Sequence, residues 1–190
     1  MNQALIFLLE TFLGFFSLAL LTRFYLQSVR APVRNPLSQF LVALTDFIVR
    51  PTRRVIPGLW GYDLSTLLLA WLTELLLVGG VLALKGYQLG PGVGAAVIGL
   101  MLLAGLNLLK RFIYILMVAV FAHAILSFIA PRGPAMSMLA SLTRPFLGVF
   151  RRRIPPIGGV DLSPLFVLVI CQILLMWPLA ALELAVTRML

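Results

Sequence analysis

Four long apolar stretches, separated by polar segments rich in arginine and proline, set the pattern of this chain. Residues 4–29, 64–84 and 164–186 run almost without polar interruption, for about the 20 residues a helix needs to cross a bilayer. A further apolar region, 93–130, is longer and is broken by Asn107, Lys110 and Arg111. Each stretch is apolar all round, which predicts bundle or lipid-facing helices. Two shorter segments show helical spacing instead. In residues 36–50, Leu37, Phe40, Leu41, Leu44, Phe47 and Ile48 share one face, while Ser38, Gln39, Thr45 and Asp46 fall off it. Residues 134–150 keep Met138, Leu139, Leu142 and Phe146 on the same plan. Pro36 suits a first helical position. These segments are too short and polar to span, so they are predicted to lie along the headgroups; the alternative is packing on the protein itself.

The pattern occurs twice. Asp161 lies 98 positions after Asp63, and at that offset the chain aligns on itself without gaps. Leu41, Leu44 and Thr45 match Leu139, Leu142 and Thr143; Arg53, Arg54, Ile56 and Pro57 match Arg151, Arg152, Ile154 and Pro155. Gly61, Asp63, Leu64 and Ser65 match Gly159, Asp161, Leu162 and Ser163. The fold class is therefore all-α: a polytopic membrane protein of two tandem repeats, residues 1–92 and 93–190. Each runs span, interfacial helix, Arg-Arg-x-Ile-Pro turn ending in Asp-Leu-Ser, span.

Composition agrees. Charged residues make up 11% of the 190 residues and mean hydropathy is +1.08, against about a quarter charged in soluble domains. The N-terminus has no basic leader and no small-residue cleavage site, so the first apolar segment is expected to be a retained span. The net charge of +9 is almost all arginine, and in a membrane protein that orients the chain instead of binding nucleic acid. Arg30, Arg34, Arg50, Arg53 and Arg54 fall in the first polar segment; Arg132, Arg144, Arg151, Arg152 and Arg153 fall in the second. Both segments should face the cytoplasm of a bacterial inner membrane. Four crossings satisfy this, with residues 108–130 as the third span and 93–107 as an interfacial, re-entrant or extended helical piece. Lys110 and Arg111 would then lie near the outer face. If residues 93–109 also span, there are five crossings.

Candidate chemistry is sparse. Ser65 and Ser163 are placed to cap the helices they begin, and Asp63 and Asp161 sit near the positive helix ends and the arginines. Arg53, Arg54, Asp63, Ser65, Arg151, Arg152, Arg153, Asp161 and Ser163 thus form a possible site for lipid headgroups or a partner; the plainer account is a rigid re-entry into the membrane. Within the spans, Arg23, Glu74, His123 and Gln172 could form a polar cluster, with Arg23 pairing Glu74. Such residues glue a bundle or line a route for protons or cations. Glu10 and Glu183 are expected to reach water. With one histidine and one cysteine (Cys171), a chain cannot supply two histidines to a haem or a three-histidine metal site, no metal or cofactor is expected, and no nucleophile, base and orienter come together. The glycine-rich run from Gly90 lacks the dinucleotide-binding spacing. Enzymatic activity is not expected.

The doubled "RR-x-IP…G-x-DLS" element, following an amphipathic helix and lying between spans, resembles the YggT family of bacterial and plastid membrane proteins. The second copy, "RRRIPPIGGVDLSPLF", follows the family pattern closely; the first has Gly58, Trp60 and Thr66 in place of proline, glycine and proline. The resemblance implies links to cell division, to osmotic or potassium tolerance and, among plastid relatives, to haem attachment on a b-type cytochrome. The resulting expectation is a small scaffold or assembly factor that meets phospholipid headgroups and a membrane or division protein. It would carry no cofactor and would form a possible homo-oligomer. The alternative is an oligomeric ion or osmolyte conduit around Glu74.

Overall fold

Proline opens several of these helices and breaks the last span, while Pro51 and Pro145 are accommodated inside helices. The computed structural model describes residues 2–32, 35–58, 61–87, 93–129, 133–153, 161–188 and 190. The start of the glycine-rich loop, Arg34, Arg132, Trp60 and most of the second Ile-Pro-Pro turn lie outside them. The helices are α1 (Asn2–Ser28), α2 (Pro36–Val55), α3 (Leu64–Leu84), α4 (Val93–Ile129), α5 (Pro134–Arg151), α6 (Ser163–Met176) and α7 (Pro178–Thr187). Asn35 caps α2: its side-chain oxygen accepts from the Ser38 N–H at 2.7 Å, and Pro36 opens the first turn. Residues 93–129 contain no proline, so Asn107, Lys110 and Arg111 do not interrupt α4. The piece expected over 93–107 is a straight extension of the third span. The last span does break. Pro178 has no N–H and its ring disfavours the preceding helical turn, and Trp177 departs from helical geometry with φ −111° and ψ −76°.

Four stretches are long and apolar enough to cross a membrane: α1, α3, α4, and α6 with α7. Large apolar side chains such as Phe7, Phe12, Val118, Phe128 and Trp177 project outward, as lipid-facing surfaces require. α1 packs on α3, and α4 touches α1, α3, α5, α6 and α7. The amphipathic helices do not lie free on a surface. α2 buries Ser38, Leu41, Thr45 and Val49, a stripe at helical spacing, while Leu37, Phe40 and Phe47 stay exposed. Thr45, assigned to the polar face from spacing, is fully buried, as is its repeat counterpart Thr143. One apolar cluster joins the repeats, with Tyr25 and Leu26 of α1, Leu41 of α2, Ala119 of α4, and Leu139 and Leu142 of α5. Tyr25 Oη donates to the Leu142 carbonyl across the repeats, and its ring meets Phe112 edge-on at 5.0 Å.

The buried charges correct the sequence expectation. Glu74 is paired with Arg111, not Arg23. Glu74 stands ten residues from either end of α3 and Arg111 eighteen from either end of α4, so the pair sits midway along both helices. Arg111 is therefore not near the outer face. Its guanidinium also donates to the Gly14 carbonyl of α1 at 3.3 Å. A Cβ at Gly14 would meet Arg111 Nη2 at 3.2 Å, so the glycine permits this approach. One residue earlier, Lys110 binds Glu183 of α7, so Glu183 is paired and not simply solvated. Arg23 pairs instead with Asp46 of α2 at 2.8 Å and donates to Thr45 Oγ1 at 2.8 Å.

Removing one partner of a buried pair strands the other's charge, and costs about 3–5 kcal/mol. Arg111→Leu should lower unfolding stability in detergent micelles by about 3 kcal/mol. The double variant Glu74→Gln with Arg111→Gln should recover most of that loss, and equal losses in the single and double variants would contradict the role given to the pair.

Candidate functional site

Each repeat ends its amphipathic helix with an arginine that reaches the aspartate ten residues on. In the first, Arg53 Nε donates to Asp63 Oδ2 at 3.1 Å and Nη2 closes the ion pair. In the second, Arg151 Nε donates to Asp161 Oδ2 at 2.7 Å. The aspartates also start the following helices. Asp63 Oδ1 accepts from the Thr66 N–H at 3.4 Å and Oδ2 from the Thr66 hydroxyl at 2.5 Å. Asp161 Oδ1 accepts from the Ser163 N–H at 2.9 Å. In the first repeat the cap is thus Asp63 and not the expected Ser65; in the second, Leu162 holds the cap position and Asp161 reaches the first turn from one residue before it. Ser65 turns back and donates to the Ile56 carbonyl at 2.8 Å, tying the Ile-Pro turn to α3. Ser163 is buried at the matching place. These Arg–Asp latches join the end of an amphipathic helix to the start of a span, and in the first repeat Ser65 ties in the Ile-Pro turn as well.

Each latch is read by a different neighbour. Gln27 of α1 lies against the first; with its amide nitrogen toward Asp63 and its oxygen toward Arg53, contacts of 2.9 and 3.0 Å satisfy both. His123 of α4 lies against the second, with Nε2 3.3 Å from Arg151 Nη2 and Nδ1 3.2 Å from Thr143 Oγ1. The Thr143 hydroxyl donates to the Leu139 carbonyl at 2.8 Å, so it must accept from Nδ1–H, and Nε2 is left to accept from Arg151. The network therefore selects a neutral imidazole protonated at Nδ1. The buried threonines play matching parts: Thr45 receives Arg23, and Thr143 receives His123.

The polar cluster expected within the spans is dispersed. Arg23 belongs to α2, Glu74 to Arg111 and His123 to the second latch, while Gln172 is exposed on α6. Of the arginines assigned to the site, Arg54, Arg152 and Arg153 are exposed, and among the described residues they hold no ion pair. Asp46, Gln27, Lys110 and Arg111 were not singled out from sequence as part of any site. Recurrence of threonine at 45 and 143 was the one available signal for the buried hydroxyls. Among the described residues no three His, Cys, Asp or Glu side chains converge on a metal position.

Burial pushes the Asp63 carboxyl up, but hydrogen bonds from Arg53 and Thr66 and the Arg53 charge outweigh it and hold it below the ordinary range. Asp161 is lowered in the same way, burial being outweighed by the Ser163 hydrogen bonds and by Arg151. Folded values below an unfolded value of about 3.9 mean that the stabilisation is complete above that pH and is lost as pH falls through the lowered values. The thermal midpoint in detergent should stay level from about pH 7 to 5 and decline below about pH 4. An Asp63→Asn, Asp161→Asn variant should start lower and decline less; a decline as steep as that of the unaltered protein would assign the acid response to other carboxyls.

Known proteins share this doubled plan. The family model CCB3/YggT matches residues 2–84 and 102–182. An uncharacterized Pseudomonas aeruginosa protein is 37% identical over 168 residues, covering 87% of this chain and 83% of the relative. An uncharacterized Vibrio alginolyticus protein, described as lying in the proC 3' region, is 34% identical over 161 residues, 84% of each chain. The uncharacterized protein YggT of Escherichia coli K12 is 31% identical over 173 residues, covering 90% of this chain and 87% of the relative. No solved structure matches. The two matched segments each contain one latch, and together they make this chain a member of the CCB3/YggT family.

Proposed function

We propose that the protein is an inner-membrane scaffold or assembly factor that offers its paired latches, with their exposed arginines, to headgroups and to a membrane or cell-division partner. The observation that carries this reading is the duplication of the latch on one side of the bundle. Each copy places exposed arginines, Arg54 or Arg152 with Arg153, directly after the arginine held by its latch. Presenting cations from a backbone already ordered lowers the ordering cost of association. Both repeats start and finish on matching sides, so both basic elements face the same compartment, and arginine excess assigns that compartment to the cytoplasm. The relatives' names say nothing of a partner, and links to osmotic tolerance or cell division rest on family resemblance alone.

The conduit reading loses its motivation. It needs an intramembrane carboxylate that faces a cavity or a moving ion, whereas Glu74 is fully enclosed and neutralised by Arg111. A structural tie explains that pairing without transport.

Arg54→Gln with Arg153→Gln should reduce co-isolation of the protein's native membrane neighbours, measured quantitatively in mild detergent, by about thirtyfold if each charge contributes about 1 kcal/mol. The double variant Glu74→Gln with Arg111→Gln should leave co-isolation intact, and potassium flux into proteoliposomes carrying the unaltered protein should equal that of protein-free vesicles. Flux above that background which the double variant abolishes would replace the scaffold with the conduit.

A further inference from the structure

The repeats differ in one place that changes local electrostatics. In the first, Asp46 accepts from Arg23 and pairs with Arg50, one helical turn on, at 2.7 Å. At the 98-residue offset, Asp46 becomes Arg144 and Arg50 becomes Gly148. A salt bridge in α2 is thus replaced in α5 by a lone cation and an open position, since a Cβ at Gly148 would meet nothing within 4 Å. The space is part of a cavity of about 870 Å³ between the end of α1, Tyr62 and α5, lined by Arg30, Arg144 and Arg152 together with Ser28 and Ser141. Among the described residues none of these three arginines has an ion-pair partner.

Arg30 is there at a conformational cost. It ends α1 in the left-handed region at φ +52°, and the Ala31 N–H closes back on the Leu26 carbonyl at 2.9 Å. Glycine is the unstrained residue at such a helix end. An arginine held there, exposed and lining one cavity with two more cations, marks strain retained at a site. A second space adjoins the cavity. Phe112, Pro145, Phe146 and Val149 line both it and a groove of about 440 Å³ between α4, α5 and α6, whose remaining walls are apolar side chains and the Cys171 thiol. Both volumes fall in the range of about 300–1,000 Å³ typical of ligand sites.

We propose that this composite pocket binds one anionic phospholipid, with its phosphate among Arg30, Arg144 and Arg152 and an acyl chain in the groove lined by Phe112, Phe146 and Val149. The site is formed by α1 of the first repeat and α4, α5 and α6 of the second. It extends the headgroup contact proposed above and rests on that reading only in placing the arginine side at the headgroups; partner association can fail while this site stands. Charge complementarity selects an anion, because the described lining gathers three arginines and no carboxylate. The adjoining apolar groove selects an amphiphile over a free phosphate, because an acyl chain packs against its walls while the phosphate meets the arginines, and a free phosphate leaves those walls uncontacted.

The test uses the whole protein purified in a neutral detergent, with phosphatidylglycerol, phosphatidylcholine or water-soluble glycerol phosphate added, and bound lipid counted by native mass spectrometry. One phosphatidylglycerol should be retained in preference to phosphatidylcholine. Arg30→Gln with Arg144→Gln should weaken that binding about thirtyfold, which is about 2 kcal/mol at about 1.4 kcal/mol per tenfold. Val149→Trp, an exposed position at the junction of the two spaces, should weaken it without altering charge, while Arg50→Gln should leave it unchanged. Helical content by circular dichroism checks that each variant folds, and if the arginine pair does not fold, Val149→Trp alone decides. Unchanged phosphatidylglycerol binding in either pocket variant would overturn the proposal. Displacement of the lipid by an equal concentration of glycerol phosphate would also overturn it, leaving a site for free phosphate.

Discussion

Arg111 holds the two halves of this molecule together. Its guanidinium meets Glu74 of α3 and the Gly14 carbonyl of α1, while its backbone belongs to α4. Between apolar helices in lipid the hydrophobic effect contributes little, because lipid tails are as apolar as the helix faces. Association then depends on close packing and on polar groups whose alternative is to remain unpaired. A charge midway along a span has few places to go, so the pair fixes the relative depth of three helices at once. Lys110, adjacent in sequence, fixes a fourth through Glu183. The other contacts between repeats, such as Tyr25 with the Leu142 carbonyl, are built on that alignment.

Much of this was legible from residues alone. The spans follow from apolar runs, and the repeat follows from identical polar residues at one offset. The ten-residue spacing of Arg53 to Asp63 and Arg151 to Asp161 survives as two ion pairs. What was not legible shares one cause. Partners within a membrane are chosen by depth and rotation, and sequence gives neither across different spans. Arg23 and Arg111 were both available to Glu74; α2 supplies Asp46 to the first, which leaves the second. Thr45 was misassigned because an amphipathic stripe admits a hydroxyl when a buried cation needs an acceptor. The aspartate cap could not be told from a serine cap because Asp-Leu-Ser offers both side chains to the same orphan N–H groups. The break at Trp177 had a plain signal in Pro178, whereas the continuity of α4 had only the absence of proline.

Duplication explains how one architecture accommodates two behaviours. The first repeat spends its polar residues internally: Arg23 with Thr45 and Asp46, Asp46 with Arg50, Gln27 against its latch. The second leaves Arg144 unmatched and places His123 where Tyr25 stands in the first. Identical scaffolding in both copies lets one carry the structure while the other retains uncompensated charge.

The uninterrupted α4 carries a consequence for the bilayer itself. Its 37 residues make a rod about 55 Å long at about 1.5 Å per residue, whereas a bilayer with its headgroups is about 40–45 Å thick. The neighbouring spans are shorter, so α4 meets the bilayer by tilting, by protruding beyond them or by stretching the surrounding lipid, the last at fractions of a kcal/mol per Å of mismatch. The length of one unbroken helix is thereby the dimension along which this bundle and its bilayer have to be reconciled.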